Sequence, residues 1–319
     1  MQDTISVSSE NKITIDVVTP CFNEQECVPL FYAEIKRVFS TLDGYDFKII
    51  YVDDGSKDNT LVEIKKLAES HGEVKYISFS RNFGKEAAIY AGLTASDGDL
   101  TVLMDADLQH PPSLLPQMID AINGGFESCA AYRSNRKGEA PVRSFFAARF
   151  YGLLNSMSTV EMKPSATDFR MMTRKFLSSV LSMMETERFT KGLFQWVGFD
   201  TKWIEFPNTL RAAGQTKFSF MSLFKYAVNG FVAFSTVPLR FASISGVFVV
   251  GAAFVYMLYE FIYTILYGAR QAGFPTLVIL ILFLGGIIIT LLGIIGEYLA
   301  RIYQEIKKRP IYVAKDRNI

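Results

Sequence analysis

Short apolar segments alternate with amphipathic ones along the first 130 residues of the chain. The apolar segments are six or seven residues long and rich in Val, Ile, Phe and Tyr, which is typical of buried strands. The segments between them repeat apolar residues every three or four positions, which predicts helices. The predicted strands are Ile13–Thr19, Phe47–Asp53, Val74–Ser80 and Leu100–Asp105, and the predicted helices lie near Glu24–Ser40, Asp58–His71 and Lys85–Ala95.

Strands that alternate with helices predict an α/β fold with a mainly parallel, Rossmann-like sheet. The segments at the carboxyl ends of the four strands read PCFNE, DDGSKDNT, RNFGKE and DADLQ. All four are polar and rich in acids, amides or glycine. Because these strand ends meet at one edge of the sheet, where ligands bind, they predict one site, and a nucleotide is the usual ligand there.

The last third of the chain contains two long segments that are almost entirely apolar. Residues 241–267 include one charged residue, Glu260, and residues 274–296 include none. A membrane span needs about 20 apolar residues, so both segments predict transmembrane helices. Gly285 and Gly286 suit close helix contact in lipid. Glu260 lies near the end of its segment and is expected to reach the membrane interface.

Basic residues are unevenly distributed around these two segments. The link 268–273 contains Arg270 alone, whereas six Lys or Arg residues follow Ala300. The positive-inside rule therefore predicts a cytoplasmic C-terminus and, with two spans, a cytoplasmic N-terminal part. The first twelve residues, MQDTISVSSENK, contain no apolar stretch, so no cleaved signal peptide is expected.

Composition adds little to this picture. The 319 residues are 50% hydrophobic with a formal net charge of +1, and the length suggests two units. Cys21, Cys27 and Cys129 have no metal-binding spacing. We expect them to be small core or loop residues in a reducing compartment.

The stretch TVLMDADLQHPP places Asp105 and Asp107 one residue apart at the end of a predicted buried strand. Alternation along a strand would put both carboxylates on the same side. In a poorly solvated place they would repel each other, so a positive group is expected between them. The alternative is a pair of solvated turn acids. His110, beside two prolines, is expected to be a turn residue rather than a ligand.

Several motifs together resemble family 2 glycosyltransferases of the GT-A fold. VVTPCFNEQE, YVDDGSKDNT, SRNFGKEAAIYAG and MDADLQHPP carry the resemblance in order and spacing, densely over residues 13–120, and it continues through ATDFRMMTRK and RAAGQTKFSF. FSTVPLR followed by two apolar segments is similar to the polyprenyl-phosphate glycosyltransferases, among them dolichol-phosphate mannose synthase and the bactoprenol glucosyltransferases.

The resemblance implies a definite organisation of the chain. A GT-A catalytic domain is expected over residues 1–217, with an interface helix near 142–160. An amphipathic juxtamembrane helix is expected over 218–236, two transmembrane helices within 237–300 (about 241–267 and 274–297), and a basic cytoplasmic tail over 301–319.

The resemblance also implies a metal and a nucleotide-sugar site. Asp105 and Asp107 match the family's DxD motif and Gln109 a third metal contact, and this oxygen set suits Mg²⁺ or Mn²⁺. Asp53 is expected to cap a turn, and Gly55 lets that turn bend. The residues expected to contact the donor are Pro20, Phe22, Glu24, Asp54, Lys85 and Ala106.

An acceptor phosphate is implied as well, because arginine donates two parallel hydrogen bonds to phosphate. The expected contacts are Arg133, Arg143, Arg211 and Lys217, although each could instead be a solvated base or contact anionic lipid. Apolar stripes over 142–157 and 221–231 predict helices that lie either in the core or in the membrane interface.

The implied reaction is an inverting transfer of a sugar to undecaprenyl or another polyprenyl phosphate at the cytoplasmic membrane face. Glucose from UDP-glucose is the first choice, for cell-surface glycans such as O-antigen of lipopolysaccharide. Mannose, an N-acetylhexosamine or an aminoarabinose derivative remain open. Asp168 matches a position where many relatives have a base, but it could equally orient the acceptor or hold Arg170. A homo-oligomer is expected.

Three other functions fit the sequence less well. Processive polysaccharide synthases carry a QxxRW motif, whereas here Gln195 and Trp196 occur without the arginine. A non-enzymatic nucleotide-binding membrane protein would not need both Asp105 and Asp107. A nucleic-acid module would carry a basic, aromatic stripe, which the N-terminal half lacks.

Overall fold

The four predicted strands form the centre of one mixed sheet in the computed structural model, which describes residues 12–134, 163, 165–186, 188–207, 237–268 and 273–319. The central strands are β1 (Ile13–Cys21), β2 (Tyr45–Asp53), β3 (Val74–Phe79) and β4 (Leu100–Leu103). The outer strands are β5 (Ser128–Arg133), β6 (Ala166–Thr173), β7 (Thr201–Phe206) and β8 (Ala314–Arg317).

Helices follow most of these strands. The helices of the N-terminal part are α1 (Cys27–Phe39), α2 (Thr60–Ser70), α3 (Lys85–Ala95), α4 (Leu115–Asn123), α5 (Arg174–Leu181) and α6 (Thr190–Trp196). The first three confirm the helices predicted from the apolar periodicity. Two longer helices follow, α7 (Val237–Tyr267) and α8 (Phe274–Lys307).

The strand order among the described residues is β7-β5-β6-β4-β1-β2-β3-β8. The central strands run parallel to one another, as predicted, and β5 pairs in parallel with β7. Strand β6 is antiparallel to both β4 and β5, and β8 is antiparallel to β3. The carboxyl ends of β1 to β4 therefore meet at one edge, as expected of a parallel arrangement.

Apolar side chains cover both faces of the sheet. One cluster joins α1, α2 and α4 to one face through residues such as Phe31, Ile64 and Met118. The second joins α3, α5 and α6 to the other face. Helix α3 packs so closely that a Cβ on Gly92 would lie 2.3 Å from Val18 Cγ1. Cys21, Cys27 and Cys129 are buried free thiols within the fold, as predicted.

Two of the described helices are long and apolar enough to cross a membrane. The apolar spans are Ile244–Tyr267 and Phe283–Lys307, and neither is buried within the protein. Large side chains such as Phe248, Phe261 and Ile289 are 64–77% exposed. Such surfaces are compatible with lipid contact, because lipid tails are as apolar as these side chains.

The structure adds a strand to the basic tail expected over residues 301–319. Helix α8 continues without a break to Lys307, and residues 314–317 form strand β8 of the sheet. Tyr312 stacks on Phe79 with ring centroids 4.7 Å apart, and the Ser80 N–H donates to the Val313 carbonyl. The sequence AKDR has no apolar alternation, so nothing in it predicted a strand.

Candidate active site

The acidic loop after β4 forms the centre of the candidate site. Because β4 ends at Leu103, Asp105 and Asp107 lie in a loop, and strand alternation does not determine their directions. Leu108 has a φ of +57°, an uncommon conformation for a branched side chain that often marks functional sites. The Gln109 backbone N–H donates to Asp107 Oδ1 at 3.1 Å. A hydrogen bond within the loop and the backbone conformation of Leu108 thus help to determine the shape of the acidic loop.

The positive group expected at the acidic loop is Lys85, the first residue of α3. Its ammonium lies 2.7 Å from Asp105 Oδ1 and 2.8 Å from Asp168 Oδ2. It thus joins the end of β4 to β6 rather than lying between Asp105 and Asp107. Lys85 reaches this position because the φ of +100° at Gly84 turns the chain directly into α3.

Charge complementarity controls ionisation at this cluster. Burial disfavours the charged form of Lys85, but the Asp105 and Asp168 carboxylates outweigh it and raise its pKa. Burial likewise works against both carboxylates, but the neighbouring cations hold the pKa of each below its usual value. The three groups are therefore charged at neutral pH.

His110 supports the acidic loop and is not an exposed turn residue. It is 3% exposed, and its ring stacks on Phe169 with centroids 5.4 Å apart. Its Nδ1 accepts the Asp105 backbone N–H at 3.2 Å. Burial lowers the pKa of His110, so a neutral imidazole with its proton on Nε2 fits this contact. Its part in fixing the Asp105 backbone was missed in the sequence.

Asp168 is close to two lysines and does not hold Arg170 by a hydrogen bond. Lys191 on α6 lies 3.6 Å from Asp168 Oδ1, while Lys85 contacts the other oxygen. The Arg170 guanidinium instead donates to the hydroxyl groups of Ser128 and Thr201. Among the described residues, the side-chain contacts of Asp168 are thus with the two lysines, and its role stays a prediction. Lys191 was not singled out from the sequence.

Arg133 lies beside the acidic loop, as expected of an acceptor residue. Its Nη2 donates to Gln109 Oε1 at 3.3 Å, and its Nε is buried with no hydrogen-bond partner among the residues that the structure describes. An unsatisfied guanidinium N–H is costly unless a ligand accepts from it. The same contact occupies one lone pair of the Gln109 oxygen that was predicted to face a metal.

The loops after β1 and β2 are held together mainly by main-chain donors. The Asn23 N–H donates to Ser56 Oγ and the Glu24 N–H to Thr60 Oγ1. Gly55 has a φ of +65°, and a Cβ there would lie 2.5 Å from the Arg81 carbonyl carbon, so the predicted need for glycine is confirmed. Pro20, Phe22 and Glu24 are partly exposed at this edge.

The two acids after β2 have separate structural partners. Asp53 accepts the Ser56 N–H, which makes it the predicted turn cap, and also the Ser78 hydroxyl. Asp54 is 3% exposed and accepts the backbone N–H groups of Phe83 and Gly84. Its observed contacts thus hold the loop before Lys85. Direct contact of Asp54, or of the buried Ala106, with a nucleotide stays a prediction.

Other predicted acceptor residues lie outside the described part of the chain. They are Arg143, Arg211 and Lys217, together with the stripes over 142–157 and 221–231. The site described here is therefore the donor side of the predicted site, with Arg133 as its acceptor-side member.

The oxygen atoms of the acidic loop can be compared with the ligands that a divalent metal prefers. Among the described residues, no three His, Cys, Asp or Glu side chains are grouped to hold a metal. Asp105, Asp107 and the Gln109 amide nevertheless offer hard oxygen donors in one loop. Mg²⁺ typically uses one or two carboxylates and takes its other ligands from substrate phosphates and water. The residues fit a metal that binds together with a diphosphate.

Sequence profiles of two known families match this chain. The profile described as Glycosyl transferase family 2 matches residues 16–181, which include Lys85, the acidic loop and Asp168. The profile described as GtrB C-terminal hairpin matches residues 237–302, which include most of α7 and α8. With the mixed sheet covered by helices on both faces, the first match confirms the expected GT-A type of fold.

Curated relatives match over nearly the full length. The chain is 42% identical over 305 residues to the putative glycosyltransferase CsbB of Bacillus subtilis (strain 168), covering 96% of this chain and 92% of the relative. It is 39% identical over 303 residues to the bactoprenol glucosyl transferase of Shigella phage SfX, covering 95% and 99%.

A solved structure is also similar. It is glucosyl-3-phosphoglycerate synthase from Mycobacterium tuberculosis in complex with Mn²⁺, UDP-glucose and phosphoglyceric acid, with 21% identity and a TM-score of 0.45, covering 68% of this chain and 76% of that chain. This likeness concerns the fold alone.

Proposed function

The chain belongs to glycosyltransferase family 2, and we propose that it transfers glucose from UDP-glucose to bactoprenol phosphate (undecaprenyl phosphate) at the cytoplasmic face of a membrane. One observation carries this proposal: a relative named for bactoprenol glucosyl transfer matches 95% of the chain, including both apolar helices as well as the site. A glycosyltransferase with a lipid acceptor needs its site near the bilayer.

The C-terminal strand supports a catalytic domain held against the membrane. Helix α8 leads directly into the segment that pairs with β3, and β3 ends at the loop before Lys85. Because β8 belongs to the catalytic sheet, both ends of the α7–α8 pair must return to the same side. With six basic residues after Ala300, we assign that side to the cytoplasm.

Some of the site residues would act on the nucleotide-sugar donor and others on the acceptor phosphate. A Mg²⁺ or Mn²⁺ ion at Asp105, Asp107 and Gln109 would supply charge neutralisation for the departing diphosphate. The Lys85 ammonium lies 2.7 Å from Asp105 and can help to stabilise the same negative charge. The Arg133 Nε–H, which has no hydrogen-bond partner among the described residues, can donate to a phosphate oxygen of the acceptor. The protein's contribution is thus mainly positioning and charge stabilisation.

A strong general base is not required in this reaction. A phosphate monoester has a second pKa near 6, so the acceptor oxygen is already largely ionised at neutral pH. The two lysines hold the pKa of Asp168 below its usual value, which makes this carboxylate a weak base. We therefore assign Asp168 to orientation of the two ammonium groups. Single displacement at the anomeric carbon then inverts its configuration.

The test is incubation of purified protein and undecaprenyl phosphate with a panel of labelled nucleotide sugars, followed by lipid extraction. Label from UDP-glucose should enter the lipid, excess EDTA should stop it, and NMR of the product should show a β-linkage from the α-linked donor. Label from another sugar alone would correct the donor. Failure of every donor would overturn the proposed acceptor.

Topology has its own experiment. A reporter fused after Ile319 should report the cytoplasm, and one inserted in the 268–273 link should report the opposite side. A C-terminal reporter on the far side would contradict the assignment of the catalytic part to the cytoplasm. The oligomeric state, which we expect to be a homo-oligomer, is measured by light scattering of the detergent-solubilised protein.

A further inference from the structure

A second ammonium group faces Asp168 from the side opposite Lys85. Lys191 Nζ lies 3.6 Å from Asp168 Oδ1 and donates to the Ala166 carbonyl at 3.3 Å. Lys85 Nζ lies 2.8 Å from Asp168 Oδ2. Each oxygen of this one carboxylate therefore has its own ammonium neighbour.

The position of Lys191 is fixed from the protein interior. Glu86 follows Lys85 on α3, and its carboxylate accepts the Thr190 backbone N–H at 2.9 Å as well as the Thr190 hydroxyl. Thr190 is 1% exposed and begins helix α6. Because Glu86 adjoins Lys85 and Thr190 adjoins Lys191, one buried contact ties the backbone of both lysines together.

Both ammonium groups remain accessible to a ligand. The Lys85 side chain is 36% exposed and that of Lys191 is 27% exposed, whereas Asp168 is 15% exposed. Lys85 is also shared with Asp105, whereas the Lys191 ammonium contacts Asp168 at the longer distance of 3.6 Å. A positive group that is anchored, partly exposed and next to the acidic loop is suited to a phosphate oxygen.

We propose that Lys191 is a phosphate-binding residue of this site, held by Asp168 when no ligand is bound and positioned by Glu86 through Thr190. The phosphate belongs either to the diphosphate of the donor or to the lipid acceptor. This proposal deepens the proposed function and rests on it for the identity of these two substrates. The phosphoryl oxygen is the chemistry that both share.

Two binding measurements on the full chain in detergent separate the phosphate sources without requiring turnover. One is calorimetric titration with UDP in the presence of Mn²⁺, and the other is titration with farnesyl phosphate, a short polyprenyl phosphate. Lys191→Ala should weaken one of the two affinities by about tenfold to a hundredfold, the range for loss of a charge-assisted hydrogen bond. The affected ligand identifies the source.

Two further variants separate a phosphate contact from a general structural effect. Lys191→Arg keeps the charge and should recover part of the lost affinity. Lys175→Ala is the matched control, because Lys175 also contacts a carboxylate, Glu127, at 2.8 Å but is 66% exposed and away from the acidic loop. It should leave both affinities unchanged.

The positioning step is tested at Thr190. Thr190→Val removes the hydroxyl donor to Glu86 and should weaken the same ligand in the same direction as Lys191→Ala. Thr190→Ser keeps the donor and should bind normally. If Glu86→Gln folds, it should lose the same affinity as Thr190→Val. If it does not fold, the comparison of Thr190→Val with Thr190→Ser is the test.

Clear outcomes would overturn the proposal. They are affinities of Lys191→Ala within about twofold of wild type for both ligands, or an equal loss for both with a lower melting temperature and no recovery in Lys191→Arg. Sugar transfer by the wild-type protein is scored separately. A wild type that binds UDP but transfers no sugar to undecaprenyl phosphate would contradict the proposed function and leave the test of Lys191 with UDP intact.

Discussion

Asp16 at one edge of the sheet and Asp105 and Asp168 at the other are held mainly by different kinds of partner. Asp16, in the first half of β1, is 0% exposed and accepts the backbone N–H groups of Asp97 and Gly98 and the Ser96 hydroxyl. The Lys48 ammonium lies 3.3 Å from the same carboxylate oxygen, so one ion pair adds to these three hydrogen bonds. Asp105 and Asp168, at the carboxyl edge, have partly exposed side chains next to the ammonium of Lys85.

The difference separates a structural acid from an acid that can exchange partners. Backbone donors are fixed by the fold, so the contacts of Asp16 cannot be replaced without moving the α3–β4 loop. A lysine side chain can swing toward a new anion at the cost of some rotamer freedom. We therefore expect substitutions of Asp16 to change stability, and substitutions at the carboxyl edge to change activity.

The largest expected effect is at the acidic loop. Asp105→Asn or Asp107→Asn should lower turnover at least about a hundredfold, because each removes a carboxylate needed for charge neutralisation of the diphosphate. The melting temperature should change little. Transfer of labelled sugar to lipid is the measurement. Near-normal activity of both variants would contradict a role in turnover for the carboxylates at the carboxyl edge.

The next effect is at the opposite edge. Asp16→Ala should lower the free energy of unfolding by about 1–3 kcal/mol, because three donors lose their acceptor in the interior. Activity per folded molecule should stay at the wild-type level. Urea unfolding followed by tryptophan fluorescence measures this, since both tryptophans, Trp196 and Trp203, lie in the catalytic part. A loss of turnover without loss of stability would contradict the structural role.

Asp54 is an acid that is buried and also accepts backbone N–H groups, and its effect on stability should depend on pH. Burial raises its pKa to about 6, although the Phe83 and Gly84 N–H groups partly offset this. An unfolded Asp titrates near 3.9, so the folded state binds the extra proton between about pH 4 and pH 6. The stability that Asp54 contributes is therefore lost as the pH rises through this window and is constant above it.

The measurement is the difference in unfolding free energy between Asp54→Asn and wild type across pH. That difference should rise in favour of the variant by about 1–3 kcal/mol from pH 4 to pH 7, because the asparagine cannot ionise. Other titrating groups are common to both proteins and cancel. A difference that is flat with pH would mean that Asp54 titrates at its usual pKa.

The smallest effect is expected for an exposed ion pair on the same strands. Lys12 and Asp46 are 2.9 Å apart, with side chains about 60% exposed. Lys12→Ala should change the unfolding free energy by no more than about 0.5 kcal/mol and leave activity unchanged, because water screens such pairs. A larger loss would mean that the exposure of a carboxylate does not determine how much its ion pair contributes to the free energy of unfolding.

Much of the catalytic fold could be predicted from the sequence. The strands β1 to β4 and the helices α1 to α3 lie within a few residues of their predicted bounds. Their apolar periodicity is a local property, and burial of these apolar residues directly stabilises the elements that it predicts. The same holds for α7 and α8, whose composition alone identifies them as candidate spans. Gly55 was predictable because its turn requires a backbone conformation that glycine adopts freely.

The contacts that define the site were less predictable. His110 was expected to be an ordinary turn residue, but its ring is buried against Phe169 and supports the Asp105 backbone. Lys191 is one of many lysines in the sequence, and no local pattern distinguishes it. A signal was present in Glu86, an acid next to the buried alanines of α3, because a carboxylate that is partly removed from water is stabilised by a donor from elsewhere in the chain.

The sequence by itself determined the alternation of β1 to β4 with α1 to α3, the acidic loop and the apolar hairpin, because each depends on neighbours along the chain. Only the tertiary structure decided that Lys85 joins Asp105 to Asp168, that Lys191 meets the same carboxylate, and that residues 314–317 pair with β3. These contacts join residues 20 to about 240 positions apart. Their geometry depends on how the layers pack, which local periodicity does not encode.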